Sequence, residues 1–303
     1  MPEMRWKKMG QTYAPRTAHP KLLTHAANPL AMLLTEDVYR VFYSGRDDQS
    51  RSSVSYVDVD IVKNEVIYVH NKPVFEHGLV KSFYSDGVSI GNCYEADGKR
   101  YILFMGWQTP LGGHWRGDIG RLILHDDFSL TLDSETPFMA ASDIDSISLS
   151  YPWVMAVNSG YKMWYGSTIT WDAGNGEMLH VLNYASSSDG HLWRQHGLSV
   201  PYKLGVAQAF SRPTVIKDDS GFHMWFSYRS GSGELYRIGY AHSLTGESWE
   251  LRLVETGIDV SGSGWDSEMI EYPFVFDHKS QRYMLYNGNG NGETGFGLAK
   301  LNA

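Results

Sequence analysis

The 303-residue sequence has little of several features that commonly mark a protein's function or location. Its single cysteine, Cys93, excludes a disulfide within the chain and a cysteine cluster for a metal, so we expect no metal and no cofactor. No stretch of 18 apolar residues occurs, and the first ten residues lack the apolar segment of a signal peptide, which favours a cytoplasmic protein. The net charge is −8 without any Lys/Arg run, which argues against nucleic acid or a membrane as partner.

Amphipathic helices are also missing from the pattern. No long segment has the 3.6-residue period of a helix, whereas short stretches rich in Tyr, Trp, Phe, Val and Ile alternate with Gly, Asp, Asn and Ser. Hydrophobic residues make up 42% of the chain and aromatic residues 14%, which is enough for a large core. We therefore predict an all-β protein.

One aromatic-rich strand pattern occurs five times at a nearly constant spacing. Its central residues are 62, 60, 61 and 60 residues apart, and they are Phe42, Phe104, Trp164, Trp225 and Leu285. A fixed period with the same local chemistry indicates one structural unit repeated about an axis. About 60 residues suit a four-stranded antiparallel blade, so the sequence predicts a five-bladed β-propeller as a single domain over residues 1–303. The predicted blades cover about 22–78, 79–140, 141–203, 204–260, and 261–303 plus 4–10.

The last repeat lacks an outer strand, because the chain stops shortly after residues 295–301. The first residues supply a match, since the sequence from Trp6 to Gly10 is similar to the sequence from Trp193 to Gly197 at the end of the third repeat. We predict that residues 4–10 pair with the last blade and close the ring, which removes two exposed sheet edges.

The segments that enter the innermost strands are expected to lie at the rim of the central channel. Four of them end in proline, which is tolerated at the first position of a strand because no ladder donor is needed there. These prolines are Pro29, Pro152, Pro213 and Pro273. A residue that precedes proline is restricted to extended conformations. The four residues concerned are Asn28, Tyr151, Arg212 and Tyr272.

Acidic residues recur in these entry segments. Asp145 and Asp266 lie seven residues before a proline, Asp86 falls at nearly the same place in the second repeat, and the fifth repeat adds Glu268 and Glu271. Carboxylates that converge on one axis raise each other's pKa, which provides the protonated and ionised pair that cleavage of a glycosidic bond needs. For Asp145 and Asp266 a structural turn that locks neighbouring strands is an equally open alternative.

Residues that depart from their own repeat are further functional candidates. Glu271 occupies a position at which other repeats hold alanine or serine, so we expect a functional role for it. Arg212 takes the place of a tyrosine in two other repeats and forms either a structural ion pair or a fork for ligand oxygens. Arg46 and Arg229 follow the central strands of repeats 1 and 4, either in solvated turns or, with Arg212, in an anion-binding mouth.

Two other side chains are candidates for contact with a ligand. His25 lies just before the first entry proline, where it either reaches the channel or has a structural role. Trp107 lies in a loop, and a loop tryptophan can cover the C–H face of a sugar or simply pack within its loop.

Together these features resemble the five-bladed propeller glycosidases, the superfamily of arabinanases, β-xylosidases, invertases and related glycoside phosphorylases. The resemblance spans essentially the whole chain and rests on the repeats, the segment 184–193 and the proline-ended strand entries. The triplet Glu271-Tyr272-Pro273 is similar to the Glu-x-Pro of the general acid in some of these families. Members usually begin blade 1 with Asp-Pro, whereas this chain has Asn28-Pro29, and an amide cannot serve as base or nucleophile.

The resemblance implies a carbohydrate-active enzyme that hydrolyses, transfers or phosphorolyses a glycosidic bond of a small or activated glycan. Glu271 is then the expected acid, with Asp86 or Glu268 as base or nucleophile. The residues expected to contact the carbohydrate are Asn28, His25, Tyr151, Arg212, Tyr272, Asp145, Asp266, Trp107 and Arg229. Two alternatives remain open, a propeller that binds a glycan without catalysis and a scaffold for protein contacts.

Overall fold

The computed structural model describes residues 4–302, so residues 1–3 and 303 of the predicted domain lie outside the described residues. The strands form one four-stranded sheet and two eight-stranded sheets. Each eight-stranded sheet consists of two antiparallel groups of four strands joined by a single parallel bridge, Ser52 with Gly87 in one and His180 with Ala209 in the other. We call the five groups of four strands blades 1 to 5. The first strand is β1 (Trp6–Tyr13). Blade 1 contains β2 (Thr24–Thr35), β3 (Val38–Arg46), β4 (Ser52–Asp60) and β5 (Glu65–Val69). Blade 2 contains β6 (Gly87–Ala96), β7 (Lys99–Gln108), β8 (Arg116–Leu124) and β9 (Leu130–Leu132).

The other three blades repeat this order. Blade 3 contains β10 (Leu149–Val157), β11 (Gly160–Thr170), β12 (Leu179–Ser187) and β13 (Arg194–Leu198). Blade 4 contains β14 (Ala209–Asp218), β15 (Gly221–Arg229), β16 (Arg237–Ser243) and β17 (Glu250–Leu251). Blade 5 contains β18 (Glu271–His278), β19 (Gln281–Asn287) and β20 (Phe296–Leu301), with β1 as its fourth strand. Helical structure within residues 4–302 is limited to a 3-10 turn, Leu253–Glu255, and the turn α1 (Asn289–Gly292). The predicted all-β propeller is thereby confirmed.

The N-terminal strand closes the ring as the sequence predicts. Strand β1 runs antiparallel to β20, with Trp6 opposite Leu301 and Lys7 opposite Lys300. The Trp6 ring is buried and packs edge-on against Trp225 of blade 4, with 5.7 Å between the ring centroids. This contact adds apolar burial between blades 4 and 5 to the hydrogen bonds that complete blade 5.

The five repeated residues form the centre of the hydrophobic core. Each lies on the second strand of its blade and has no exposed surface, and together they are Phe42, Phe104, Trp164, Trp225 and Leu285. Each side chain packs between its own blade and a neighbour, so the repeat period reflects the packing of one blade against the next. No helix among residues 4–302 has the length and apolar composition to cross a membrane.

The first strand of every blade, which we call its inner strand, carries a β-bulge at the same position. The register shifts occur at Ala27/Leu30, Ile90/Cys93, Ser150/Trp153, Ser211/Thr214 and Glu271/Phe274. A bulge leaves residues unpaired in the ladder and redirects their side chains. The five bulges therefore turn side chains and carbonyl groups away from the ladders at one level of the ring.

The predicted extended conformation of the residues before the prolines is wrong. Asn28, Tyr151, Arg212 and Tyr272 have positive φ angles of 57°, 35°, 45° and 52°. The reason is the bulge, because two residues there face one residue of the neighbouring strand and the ladder no longer holds them extended. Such backbone conformations cost on the order of 1–3 kcal/mol each and persist where surrounding contacts enforce them.

Candidate functional site

Two cavities are lined by the inner strands, one at each end. The upper cavity, about 450 Å³, is lined by residues that precede the bulges, such as Ser89, Ser150 and Ser211. The lower cavity, about 650 Å³, is lined by residues that follow the bulges, such as Leu30 and Trp153. A larger cavity of about 750 Å³ lies beside the outer strand of blade 3, away from every residue that departs from its repeat. We therefore take the upper cavity, called the funnel below, as the candidate site.

Arg212 separates the two cavities. Its side chain is 3% exposed, and its Nη1 and Nη2 atoms donate hydrogen bonds to the carbonyl oxygens of Tyr272 at 2.8 Å and Pro29 at 2.7 Å. Arg212 thus ties the bulge of blade 4 to the bulges of blades 5 and 1. Asn92 similarly exchanges two hydrogen bonds with the backbone of Val154, which ties blade 2 to blade 3. We call this layer of cross-blade contacts the plug.

The placement of Arg212 differs from the predicted ligand contact. Burial lowers the pKa of its guanidinium to about 9, yet the group stays protonated at neutral pH. Its two terminal nitrogens bond to carbonyl groups that the bulges remove from the ladders, and Arg212 is not among the residues that line the funnel. The structure thus shows Arg212 bonded to backbone carbonyl oxygens, which is neither the predicted ion pair nor a contact in the funnel lining.

Asn28 is part of the same layer. It is 2% exposed, and its backbone N–H donates to the Asn287 side-chain oxygen at 2.9 Å. The side-chain nitrogen of Asn287 in turn donates to the carbonyl oxygens of Ala26 and Gly295, both at 2.8 Å. The Asn28 side-chain oxygen is buried without a hydrogen-bond partner among residues 4–302. Asn28 therefore joins blade 1 to blade 5 and does not line the funnel.

Aromatic rings form one wall of the funnel. Trp107 lies at the end of β7, and Trp115 lies in the loop between β7 and β8. Both side chains line the cavity and are half-buried. The Trp107 ring nitrogen donates to the Ser52 hydroxyl at 3.3 Å, and Trp115 packs edge-on against Trp171 at 4.9 Å. Both rings are thus held in place while one surface remains open, which is the arrangement that a planar sugar face requires.

Two tyrosines that precede prolines form the funnel floor. Tyr151 and Tyr272 line the cavity, their ring centroids are 5.3 Å apart, and their hydroxyl oxygens are 3.3 Å apart. Burial raises the pKa of both phenols, so both are neutral and can donate or accept hydrogen bonds at physiological pH. The structure brings these two predicted site residues together.

Arginine side chains reach the funnel from blades 1 and 4. Arg229 lines the cavity, donates to Glu177 at 2.9 Å and lies 4.8 Å from the Tyr236 ring centroid. Arg46 also lines the cavity, and its guanidinium has no hydrogen bond or ion pair among residues 4–302. None of the described residues that line the funnel is acidic. The lining therefore combines positive charge, hydroxyl groups and aromatic rings.

Glu271 lies buried beside this floor. It is 0% exposed, and neither carboxyl oxygen has a hydrogen-bond partner of proper geometry among the described residues. Burial raises the pKa of Glu271 well above its usual range, and the charges of Arg229, Arg46 and Arg212 oppose this only in part. The Tyr272 hydroxyl also approaches the carboxyl group and lowers its pKa slightly. Burial therefore favours the neutral, protonated form of the Glu271 carboxyl group.

The other two predicted catalytic residues lie farther out. Asp86 is half-buried at the rim, where its carboxylate accepts a hydrogen bond from the backbone N–H of Thr109 at 2.6 Å, and Thr109 lines the funnel. Glu268 is exposed and does not line the funnel. Its backbone is held by Asn289 and Arg237, so its side chain is directed by a surface turn. The structure therefore does not bring Glu268 together with Glu271, because Glu268 lies in the exposed segment before β18 whereas Glu271 is the buried first residue of that strand.

Asp145 and Asp266 lie within their own blades, away from the predicted ligand. Asp145 accepts hydrogen bonds from Tyr165 at 2.7 Å, from Asn183 at 2.7 Å and from Gln195. Asp266 accepts a hydrogen bond from Tyr286 at 3.0 Å and pairs with Lys8 at 2.7 Å. In both blades the carboxylate joins the entry segment to the second and fourth strands, which is the arrangement of a structural lock, and neither residue is among those that line the funnel.

His25 has a local role near the rim. Its Nδ1 atom lies 2.9 Å from the Thr24 hydroxyl, and the side chain is half-buried. Burial and, to a lesser extent, the Arg46 charge lower the pKa of His25 to about 4, so it is neutral at physiological pH. The residue is not among those that line the funnel, although Arg46 beside it is.

Sequence reasoning missed several lining residues. Ser150 and His180 line the funnel, with 2.6 Å between hydroxyl oxygen and Nε2, and the other ring nitrogen is 2.7 Å from the Thr168 hydroxyl. Burial lowers the pKa of His180 to about 3, so the ring is neutral. His180 and Tyr236 have no distinguishing neighbours in the sequence, whereas Trp115 belongs to the loop tryptophans that the pattern does indicate. Within residues 4–302 no group of three His, Cys, Asp or Glu is arranged to hold a metal.

Solved structures share this architecture. A chain described as "Glycoside hydrolase" superposes with a TM-score of 0.75 and 12% identity over 98% of this chain and 91% of its own length. A member of the GH130 family of mannoside phosphorylases and glycoside hydrolases superposes with a TM-score of 0.71 and 13% identity, over 98% of this chain and 94% of its own length. An endo-arabinase from Bacteroides thetaiotaomicron superposes with a TM-score of 0.62 and 12% identity, over 96% of this chain and 97% of its own length. The predicted resemblance is confirmed at the level of the fold, which is that of the propeller glycosidases.

Sequence comparison gives a nearer relationship. No family model matches the chain. Two proteins of Mycobacterium tuberculosis, "Uncharacterized protein MT1551" of strain CDC 1551 / Oshkosh and "Uncharacterized protein Rv1502" of strain H37Rv, are each 39% identical over 300 residues. The alignments cover 98% of this chain and 99% of each relative. The chain belongs to the same family as these two mycobacterial proteins.

Proposed function

We propose that the protein binds a carbohydrate in the funnel and acts on its glycosidic bond, with Glu271 as the proton donor. The observation that carries this proposal is the Glu271 carboxyl, which is 0% exposed and has no hydrogen-bond partner of proper geometry among the described residues. A buried polar group without a partner destabilises a fold by about 1–3 kcal/mol, so its presence requires an explanation. A protonated carboxyl group beside a cavity is the acid that departure of a glycosidic oxygen requires.

The floor of the funnel offers a route for the proton. Glu271 lies next to Tyr272, whose hydroxyl approaches the carboxyl group and is 3.3 Å from the Tyr151 hydroxyl. Because both tyrosines line the cavity, a proton can pass from Glu271 through a hydroxyl group to the leaving oxygen. Asp86, at the rim beside Thr109, is the proposed base that activates water or another acceptor.

Binding without catalysis is a second candidate, and one observation favours it. None of the described residues that line the funnel is acidic, and Asn28 stands where the propeller glycosidases usually have an aspartate. Without an ionised carboxylate at the cavity, a bound sugar has no nucleophile of the usual type. The aromatic wall and the hydroxyl groups of the floor serve sugar binding equally well in this case.

The test is a search for turnover with a matched pair of variants. Aryl glycosides and oligosaccharides are incubated with the protein, with and without inorganic phosphate, and products are followed by mass spectrometry. We expect Glu271→Gln to lower kcat by at least about 100-fold with little change in sugar affinity, because the amide keeps the shape and loses the proton. Glu250→Gln, an exposed position on the outer strand of blade 4, is the control and should leave kcat unchanged.

Two results would contradict the enzymatic proposal. One is equal turnover by the wild type and Glu271→Gln, which would remove Glu271 from the reaction. The other is sugar binding without any product across the substrate panel, which would establish the non-catalytic alternative.

A further inference from the structure

The charges around the funnel do not cancel. Arg229 is neutralised by Glu177, to which it donates at 2.9 Å, whereas Arg46 has neither an ion pair nor a hydrogen bond among residues 4–302. Glu271 is 0% exposed and is not among the residues that line the funnel, and burial favours its neutral form. Among the described residues that line the cavity, the charged side chains are thus the two arginines, although the whole protein has a net charge of −8.

Arg46 and Arg229 are both available for further hydrogen bonds. The buried Nε atom of Arg229 has no partner among the described residues, although its Nη2 atom is engaged by Glu177. The hydroxyl of Ser211 lines the same cavity, is buried with its residue 5% exposed, and also has no partner. Buried donors that the protein itself leaves unsatisfied are commonly satisfied by a ligand or by ordered water.

The aromatic wall limits the kind of ligand. A small free anion needs only the arginines, yet the funnel holds about 450 Å³ and also presents Trp107 and Trp115. Hydrogen bonding to Ser52 and edge-on packing against Trp171 fix these two rings. One cavity therefore combines an apolar platform for a sugar ring with guanidinium groups for oxygen anions.

We infer that the carbohydrate bound in the funnel carries an anionic group, a carboxylate or a phosphate, which Arg46 binds with Arg229 as its second contact. This inference rests on the proposed carbohydrate binding and narrows it to acidic sugars. Arg46 is the residue that determines the preference, because its charge is uncompensated in the free protein. Arg229 contributes through its free Nε atom while Glu177 holds the rest of its side chain in place.

Calorimetric titration with matched pairs of sugars tests this inference. The probes are glucuronic acid against glucose, galacturonic acid against galactose, glucose 6-phosphate, and inorganic phosphate alone. We expect the acidic sugars to bind about 10- to 100-fold more tightly than the neutral ones, and this preference to fall as salt is raised. Preference for the uronic acids or for the sugar phosphate identifies which anion the site takes, and either result supports the inference.

Variants at Arg46 separate charge from packing. Arg46→Gln should remove most of the preference for acidic sugars, with affinity for neutral sugars unchanged, and Arg46→Lys should retain part of it because the charge remains but the planar fork is lost. Arg194→Gln, an exposed arginine on the outer strand of blade 3, should behave as the wild type. Circular dichroism melting of each variant verifies that the fold is intact.

Three results would overturn the inference. They are equal affinity for acidic and neutral sugars, binding of inorganic phosphate as tight as that of the sugar phosphate, and a preference that survives Arg46→Gln. The proposed function fails separately, through Glu271→Gln and product analysis. Turnover of neutral glycosides that depends on Glu271 would leave the proposed function intact while excluding acidic specificity.

Discussion

The interior of the blades and the axis of the ring hold buried carboxyl groups in opposite ways. Inside blade 3, Asp145 is 1% exposed and accepts hydrogen bonds from three side chains, and Asp266 is held similarly in blade 5. Beside the axis, Glu271 is equally buried and has no partner of proper geometry among residues 4–302. The interior carboxylates obey the repeat, whereas Glu271 departs from it. Satisfied groups thus belong to the scaffold, and the unsatisfied group marks the site.

This difference follows from the energetics of burial. A buried carboxylate that accepts several hydrogen bonds is stabilised in its ionised form, and removing it leaves its donors without partners. A buried carboxyl group without donors favours its protonated form, and its replacement by a neutral group of similar shape breaks no hydrogen bond. Substitutions of the interior carboxylates should therefore mainly lower stability, whereas substitution of Glu271 should mainly lower activity.

The largest expected effect is at the lock inside blade 3. Asp145→Ala leaves the Tyr165 hydroxyl and the amides of Asn183 and Gln195 without their acceptor, so we expect a loss of about 3–5 kcal/mol in the free energy of unfolding. Urea denaturation followed by fluorescence measures it. The control is Asp143→Ala, an exposed aspartate two residues earlier, which should change the free energy by less than about 0.5 kcal/mol. If Asp145→Ala and Asp143→Ala both changed the free energy of unfolding by a similar small amount, Asp145 would not be a structural lock.

A smaller loss is expected at the plug. Arg212→Met removes two hydrogen bonds to the carbonyl groups of Pro29 and Tyr272, which costs about 2–4 kcal/mol because both acceptors are buried. Arg194→Met, at an exposed position, is the control. Loss of the Arg212 charge should also raise the pKa of Glu271 further, since this charge favours the ionised carboxylate. Unchanged stability would mean that the blades do not depend on the plug.

Much of the fold follows from the sequence because the repeat reports packing. Phe42 and Trp225 recur at the blade period since each fills the same space between neighbouring blades. The match between the segments that start at Trp6 and Trp193 predicts ring closure because both are outer strands with the same pairing. Local patterns of this kind depend on few long-range contacts and can therefore be recognised in a single sequence.

The site is less predictable, because bulges and cross-blade contacts decide it. Tyr151 and Tyr272 line the funnel, yet the backbone at these positions is left-handed rather than extended, and no local feature of the sequence predicts a bulge. Arg212 appears free in the sequence, and only the ring brings the carbonyl groups of Pro29 and Tyr272 to it. His180 lies where blade 3 meets blade 4, in the parallel pair with Ala209, and the repeat pattern does not reveal this pair.

Near pH 4, Glu271→Gln should change the free energy of unfolding less than the other two substitutions do. The dependence of this change on pH is the sharpest test of the comparison. Because the pKa of Glu271 is raised in the folded protein, the wild type keeps this proton where the unfolded chain has already lost it. Its stabilising contribution is present below the unfolded value of about 4.3 and is lost as the pH rises toward the folded value. The variant should thus gain on the wild type by about 1.4 kcal/mol for each pH unit in that window.

Urea denaturation of both proteins between pH 4 and pH 8 measures this difference. The stability of Glu271→Gln relative to the wild type should increase with pH and then level off. The pH at which the increase stops gives the pKa of Glu271 in the folded protein. The exposed control variant Glu250→Gln should not reproduce this increase. A difference between wild type and Glu271→Gln that does not vary with pH would mean that Glu271 is ionised in the folded protein, which would make it a base rather than an acid and reverse its role at the funnel.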